Sequence, residues 1–186
     1  MESKYVHLLS VSTQYADHYA MYMCSPYERA TYRYTPLLAL FLLPNEFVHP
    51  AFGKLLFVAA DMFIAVLLRR IARLTGVPNA DVYIALGWLF NPLSFSISTR
   101  GSAEAVLSVM VLVVLYSALK QRDAKGDGRT AFLLALAVHF KIYPFIYGAS
   151  FLALLSTTPG DNWRAVRFAE STLVWLVAMT VPFYLV

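Results

Sequence analysis

Long apolar runs separated by short charged segments constrain this chain more than any other feature. A helix needs about 20 consecutive apolar residues to cross the hydrocarbon core of a membrane. Runs of roughly this kind lie at residues 52–74, 81–98, 103–119, 130–155 and 168–186. Hydrophobic residues make up 59% of the chain and charged residues 14%, whereas a soluble domain usually has about 45–50% and 25%. We therefore predict an all-α, polytopic membrane protein whose helices form a transmembrane bundle.

The positive charges cluster in the segments between the apolar runs. The formal net charge is +4, and the clusters are Arg69, Arg70 and Arg73; Lys120, Arg122, Lys125 and Arg129; and Arg164 and Arg167. Short cytoplasmic loops of membrane proteins carry such an excess of lysine and arginine. The pattern predicts that these three basic segments lie on the cytoplasmic side. It argues against nucleic-acid binding, which needs a basic face on a water-soluble fold.

The chain divides into two predicted regions. Residues 1–34 are polar and rich in tyrosine, and we predict a lumenal loop or an interfacial segment there. Residues 35–186 form the predicted transmembrane helical region. It begins with an apolar stretch at 34–43 that is too short to span, so we predict a short helix or a re-entrant segment. Neither end has the flanking sequence of a complete membrane protein, and we expect the chain to be incomplete at both ends.

Two of the apolar runs contain residues that break helices. An Asn-Pro pair at 91–92 interrupts 81–98 and predicts a kink or a broken helix. The sequence HFKIYP at 139–144 interrupts 130–155. If all three basic segments face the cytoplasm, the run at 130–155 must enter the membrane and return to the cytoplasmic side as two half-helices. A single crossing is the alternative, and it places the arginines of the third basic segment on the opposite side.

Three polar segments then share the predicted lumenal side, at residues 25–36, 98–104 and 139–144. Ionisable side chains within or beside membrane spans are costly, and by default they mark a functional site. Cations next to aromatic rings suit an anionic lipid head such as a phosphate, with a sugar stacked on tyrosine. The candidate substrate-binding residues are Arg29, Tyr32, Arg33, Arg100, Glu104, His139 and Lys141.

Each of these candidates also has a structural interpretation. Arg100 and Glu104 are four residues apart and could pair across one helical turn. Lys141 could extend to the membrane interface, although the proline that follows it favours a shaped, unwound segment. His139 by itself is more typical of a packed, hydrogen-bonded histidine than of a ligand. Asp61, in the first long run, is either a catalytic carboxylate or, as we favour, a buried hydrogen-bond acceptor.

Four motifs carry a resemblance to a known family. They are SPYERATYRYTPLLA, FGKLLF with the Asp61 that follows it, NPLSFSISTRGSAE and AVHFKIYP. In this order and at these spacings they resemble the GPI mannosyltransferase 1 family (the PIG-M family), over roughly residues 25–155. The resemblance implies a multi-span GT-C glycosyltransferase of the endoplasmic reticulum membrane. It implies dolichyl-phosphate mannose as donor, glucosaminyl-(acyl)phosphatidylinositol as acceptor, an α-1,4 bond, and a small accessory membrane subunit as partner.

One family motif is absent. Members of the family carry an Asp-x-Asp motif before the SPY segment, and no Asp-x-Asp occurs in this sequence. We therefore assign no catalytic residue, and we expect the chain as written to be inactive by itself. No cofactor is identified, and the single Cys24 excludes a metal site built from cysteines. The alternatives to a mannosyltransferase are a multi-span transporter, with its site at the broken spans, and a noncatalytic membrane fragment.

Overall fold

The computed structural model describes residues 36–49, 51–100, 102–120, 127–156 and 163–184. Every secondary-structure element within these ranges is a helix, which confirms the all-α class. The helices are α1 (Pro36–Leu42), α2 (Pro44–Phe47), α3 (Phe52–Thr75), α4 (Ala80–Ile84), which continues as the π-helix Ala85–Leu89, α5 (Pro92–Thr99), α6 (Glu104–Lys120), α7 (Asp127–Phe140), the 3₁₀-helix Tyr143–Phe145, α8 (Ile146–Ser156) and α9 (Arg164–Tyr184).

The helices follow the predicted apolar runs closely. Helices α1, α3 and α6 correspond to the runs at 34–43, 52–74 and 103–119. The runs that contain helix-breaking residues are each divided into two helices, as predicted. Among the described residues, one stretch, Arg164–Pro182, is long and apolar enough to cross a membrane by length and composition. The predicted polytopic arrangement therefore stays a prediction, and so does the lumenal segment 1–34, which lies outside the described residues.

The chain forms two units. The first comprises residues 1–69 and 78–109, and the second comprises residues 70–77 and 110–186. We describe each unit by itself, from its described residues.

In the first unit, α3 begins against a buried asparagine. Asn45 is 3% exposed, and its Oδ1 accepts a hydrogen bond of 2.6 Å from the backbone N–H of Gly53 in the first turn of α3. The first turn of a helix has N–H groups without intrahelical partners, so this contact caps α3 from a residue eight positions earlier. The short helices α1 and α2 are thereby joined to the start of α3.

Gly53 is required for this close approach, and we expect Gly53→Ala to lower the free energy of unfolding by about 1–3 kcal/mol. An added Cβ would lie 3.0 Å from Leu42 Cδ2 and 3.1 Å from Asn45 Nδ2. Gly87→Ala is the matched control, because no atom lies within 4 Å of its added Cβ. Thermal unfolding in detergent, followed by circular dichroism, measures both. Equal melting temperatures for the two variants would contradict the packing argument.

Asn91 and Pro92 interrupt the helix in the apolar run at 81–98. The Asn91 side chain donates to the carbonyl of Gly87 over 3.2 Å and accepts from the N–H of Leu93 over 3.0 Å. It thus holds the end of the π-helix and the start of α5 together. Pro92 is the first residue of α5, where its missing N–H costs nothing. The predicted broken helix is confirmed.

In the second unit, four helices share one apolar core. Its buried residues come from α6 (Val114, Ala118), α7 (Ala131, Leu134, Val138), α8 (Phe151, Leu155) and α9 (Phe168). A hydrogen bond of 2.8 Å between the buried hydroxyls of Ser117 and Thr130 also joins α6 to α7. Since all four helices contribute apolar side chains, removing any one of them exposes part of the core to solvent or lipid.

Helices α7 and α9 run parallel to each other. Arg164, the first residue of α9, forms an ion pair with Asp127, the first residue of α7. Near the other ends, Thr180 lies 3.4 Å from His139. The chain must therefore return between these helices, and α8 is the helix that returns. The run is thus divided into two helices of opposite direction, as predicted, and whether these enter and leave a membrane on one side stays a prediction.

Candidate functional site

The candidate residues fall in three parts of the chain. Arg29, Tyr32 and Arg33 lie outside the described residues. In the first unit, Arg100 is exposed just after α5, and Glu104 is the half-buried first residue of α6. Arg100 follows the end of one helix and Glu104 begins the next, so the two residues do not lie on one turn of a single helix, as the structural interpretation had suggested. His139 and Lys141 belong to the second unit.

In the second unit, the break between α7 and α8 places the candidate residues of HFKIYP. Helix α7 ends at Phe140, and the N–H of Lys141 makes the last hydrogen bond of that helix, 3.2 Å to the carbonyl of Ala137. Pro144 has no N–H to continue the ladder, and a 3₁₀ turn follows, with the N–H of Phe145 donating to the carbonyl of Ile142 over 3.0 Å. The predicted unwound segment is confirmed.

His139 lies inside the second unit rather than at its surface. Its Nδ1 is 3.4 Å from the hydroxyl oxygen of Thr180 on α9. That hydroxyl also donates to the carbonyl of Leu176 over 2.7 Å. This agrees with the packed, hydrogen-bonded interpretation of His139. The residue joins α7 to α9 one position before the break.

The break forms the tip of the α7–α8 hairpin, and its surface is both cationic and apolar. Lys141 is half-buried at this tip. Ile142, Phe145 and Ile146 follow it and are 81%, 70% and 66% exposed. A lysine ammonium offers three hydrogen-bond donors, so the tip presents a cation suited to a phosphate beside apolar side chains suited to hydrocarbon.

Two tyrosines stiffen the same tip. The hydroxyls of Tyr143 and Tyr147 are 2.8 Å apart, and their rings meet edge to face with centroids 5.8 Å apart. The pair spans one turn, from the 3₁₀-helix into α8. It links the 3₁₀-helix to the first turn of α8.

At the opposite end of the hairpin lies an ion pair that sequence reasoning missed. Arg164 Nε and Nη2 donate to the two carboxylate oxygens of Asp127 over 2.6 and 2.8 Å, and both residues are buried. Arg164 was predicted to lie in the third basic loop; the structure instead makes it the buried first residue of α9, and its side of the membrane stays a prediction. Its buried pairing partner lies 37 residues away, so no local signal identifies it.

Metal-ligating side chains do not gather in the described ranges. No group of three or more His, Cys, Asp or Glu residues there is arranged to hold a metal ion. The second unit thus has Lys141 and two tyrosines at the hairpin tip, a buried histidine one residue before the break, and a buried ion pair at the opposite end of the hairpin.

Comparison with known proteins places the chain in a family. The family model described as GPI transamidase subunit PIG-U matches residues 12–186. The chain belongs to the PIG-U family. No solved structure matches it.

The curated relatives of this chain carry a different description, that of a mannosyltransferase. GPI mannosyltransferase 1 of Dictyostelium discoideum is 51% identical over 126 residues, which are 66% of this chain and 28% of that protein. The Danio rerio protein named GPI alpha-1,4-mannosyltransferase I, catalytic subunit, is 39% identical over 163 residues (87% and 41%). GPI mannosyltransferase 1 of Debaryomyces hansenii is 36% identical over 193 residues (97% and 45%). These relatives confirm the resemblance, and the chain spans less than half the length of each.

Proposed function

We propose that this chain is part of a mannosyltransferase of GPI-anchor biosynthesis. The observation that carries the proposal is its 36–51% identity to proteins named GPI mannosyltransferase 1 or GPI alpha-1,4-mannosyltransferase I, catalytic subunit. The reaction is transfer of the first mannose, in an α-1,4 bond, to glucosaminyl-(acyl)phosphatidylinositol. Dolichyl-phosphate mannose is the donor, and a small accessory membrane subunit is the partner. The site of action is the endoplasmic reticulum membrane.

The chemistry assigns a role to the cationic tip. The acceptor hydroxyl attacks the anomeric carbon of the mannose, and dolichyl phosphate leaves with the bonding electron pair. The phosphate gains negative charge as it leaves, and a preorganised cation such as Lys141 stabilises that charge. The proton of the acceptor hydroxyl passes to a carboxylate. Because the chain contains no Asp-x-Asp, we propose that this carboxylate comes from outside the 186 residues, and that the chain alone is inactive.

Several helix lengths support a multi-span arrangement. Helix α3 has 24 residues and α9 has 21, so at 1.5 Å per residue they are about 36 and 32 Å long, against about 30 Å of hydrocarbon. Helices α7 and α8, with 14 and 11 residues, are about 21 and 17 Å long. Neither crosses alone, and the hairpin enters and leaves on the same side of the membrane.

A GPI transamidase subunit is the second candidate, because the matching family model carries that description. The same fold would then bind the completed GPI lipid without transferring mannose. The relatives at 36–51% identity favour the transferase.

Complementation distinguishes the two candidates. The full-length protein that contains this chain should restore mannosylated GPI precursors in cells that lack GPI mannosyltransferase 1, measured by thin-layer chromatography of lipids labelled with tritiated mannose. The 186-residue chain, expressed at equal abundance, should not restore them. Restoration of GPI attachment in cells that lack the transamidase subunit, without mannose transfer in the first cells, would favour the second candidate. Rescue by the 186-residue chain would show that no further carboxylate is needed.

A further inference from the structure

The exposed face of helix α3 changes from apolar to cationic towards the end of the helix. Leu55, Met62 and Val66 are 66%, 56% and 45% exposed, and Arg70 and Arg73 follow them and are also exposed. All five belong to one continuous helix of 24 residues. With 3.6 residues per turn they fall within about 80° of its circumference, whereas the buried residues of α3 lie on the opposite side. The helix thus presents a single stripe that is apolar first and cationic last.

The third arginine at this end of α3 is already occupied. Arg69 Nη2 donates to Asp81 Oδ2 over 2.9 Å, and Arg69 Nε lies 2.7 Å from Oδ1 of the same carboxylate. A two-point contact of this kind uses the edge of the guanidinium that would otherwise hold a phosphate. Neither Arg70 nor Arg73 forms an ion pair with a residue in the described part of the chain. These two guanidinium groups are therefore available to an anionic ligand.

The distances along α3 match one leaflet of a membrane. From Leu55 to Val66 the axis rises by about 16 Å, and half of the hydrocarbon core is about 15 Å thick. Arg70 and Arg73 lie about 6 and 10 Å beyond Val66, at the level of the lipid headgroups. The apolar part of the stripe has the length of a layer of acyl chains, and the arginines lie where the phosphates of that layer are.

We propose that Arg70 and Arg73 bind the headgroup of an anionic phospholipid whose acyl chains lie along Leu55, Met62 and Val66. Two guanidinium groups one turn apart can donate to the same phosphate, which their charge complements. Each basic side chain next to an anionic membrane surface contributes about fivefold in affinity. The site requires α3 to lie in the membrane, as in the proposed multi-span arrangement, and it is separate from mannose transfer.

Binding of phosphatidylserine to the full-length protein tests the site, with phosphatidylcholine as the probe without net charge. Native mass spectrometry of the detergent-solubilised protein counts the lipid molecules bound as the lipid concentration rises. The parent protein should bind phosphatidylserine more tightly than phosphatidylcholine. Arg70→Gln with Arg73→Gln should weaken phosphatidylserine binding about 25-fold, because two charges are lost, and should leave phosphatidylcholine binding within about twofold. An unchanged affinity for phosphatidylserine would overturn the proposal.

The paired arginine provides the matched control. Arg69→Gln with Asp81→Asn removes one exposed ion pair without changing the net charge, and should leave the affinity for phosphatidylserine within about twofold of that of the parent. Asp81→Asn alone should raise this affinity by about fivefold, because it frees the Arg69 guanidinium at the same end of α3. If removal of the pair weakens binding as much as loss of Arg70 and Arg73, or if Asp81→Asn changes nothing, the assignment to the two unpaired arginines is wrong.

Thermal unfolding separates lipid binding from a structural role of the arginines. Cations near the C-terminal end of a helix also stabilise it through the helix dipole. Added phosphatidylserine should raise the melting temperature of the parent protein more than that of Arg70→Gln with Arg73→Gln. A variant that melts at a lower temperature but gains as much from phosphatidylserine as the parent would show that the arginines serve only the helix, against the proposal. Neither readout uses mannose transfer, so the result is independent of the proposed activity.

Discussion

Replacing Asp127 by alanine is expected to lower the free energy of unfolding by about 3–5 kcal/mol, because the Arg164 guanidinium is then left buried without its carboxylate. The Arg164 and Asp127 side chains are 4% and 12% exposed, and Arg164 Nε lies 2.6 Å from Asp127 Oδ2. The pair also joins the starts of α7 and α9, so its loss loosens the parallel packing of the two helices. Thermal unfolding of the full-length protein in detergent measures the effect.

The chain supplies a matched control for this prediction in the first unit. Arg69 and Asp81 form an ion pair of the same chemistry, with Nε 2.7 Å from Oδ1, but their side chains are 54% and 65% exposed. Asp81→Ala should cost about 0–1 kcal/mol, because water screens an exposed pair. A loss at Asp127→Ala no larger than at Asp81→Ala would contradict the role of burial.

Removing both charges tests the physical reason. In the double variant Asp127→Leu with Arg164→Met, no charge is left buried, and replacement of a buried pair by apolar residues is often neutral. The double variant should therefore unfold at a higher temperature than Asp127→Ala alone. If it does not, the pair contributes through its two directed hydrogen bonds rather than by charge compensation.

Replacing Lys141 by methionine in the full-length protein is expected to reduce mannose transfer about 30- to 1,000-fold, which corresponds to about 2–4 kcal/mol of lost transition-state stabilisation. The ammonium at the hairpin tip is proposed to strengthen its contact with the donor phosphate as that phosphate leaves. Lys141→Arg should keep part of the activity, because the charge persists while the hydrogen-bond geometry changes. Initial rates with dolichyl-phosphate mannose, normalised to protein abundance, measure both variants.

Lys120→Met is the control for the Lys141 prediction. Lys120 is the exposed last residue of α6, with its Nζ 5.7 Å from the centroid of the Tyr116 ring. The substitution Lys120→Met makes the same change in charge and size as Lys141→Met, but away from the hairpin tip. It should leave the rate of mannose transfer within about threefold of that of the parent protein. If Lys141→Met also stays within threefold at equal abundance, Lys141 only extends to the membrane interface and the phosphate contact is wrong.

The candidate site was predicted in part. The residues of HFKIYP were identified from a lysine beside a proline in an apolar run, and the structure confirms an interrupted helix there. The convergence of three polar segments stays a prediction, because Arg29, Tyr32 and Arg33 lie outside the described residues, and the remaining candidates are divided between the two units. The motifs also carried the resemblance to GPI mannosyltransferase 1, which the relatives confirm.

The sequence by itself determined which segments are helices and where they break. Apolar runs of this length predict helices. Pro92 and Pro144 have no backbone N–H, so the helical hydrogen bonds end close to each of them. These signals are local, so they can be read along the chain.

Only the tertiary structure decided which residues meet. Arg164 was expected in a basic loop, whereas it begins a helix and pairs in the interior with Asp127, 37 residues earlier. The Oδ1 of Asn45 accepts from the N–H of Gly53 at the start of a helix to which Asn45 does not belong. The sequence around a charged or amide side chain does not identify its partner. The helix packing decides which complementary group comes within hydrogen-bond distance, and the low dielectric of the packed interior strengthens that interaction.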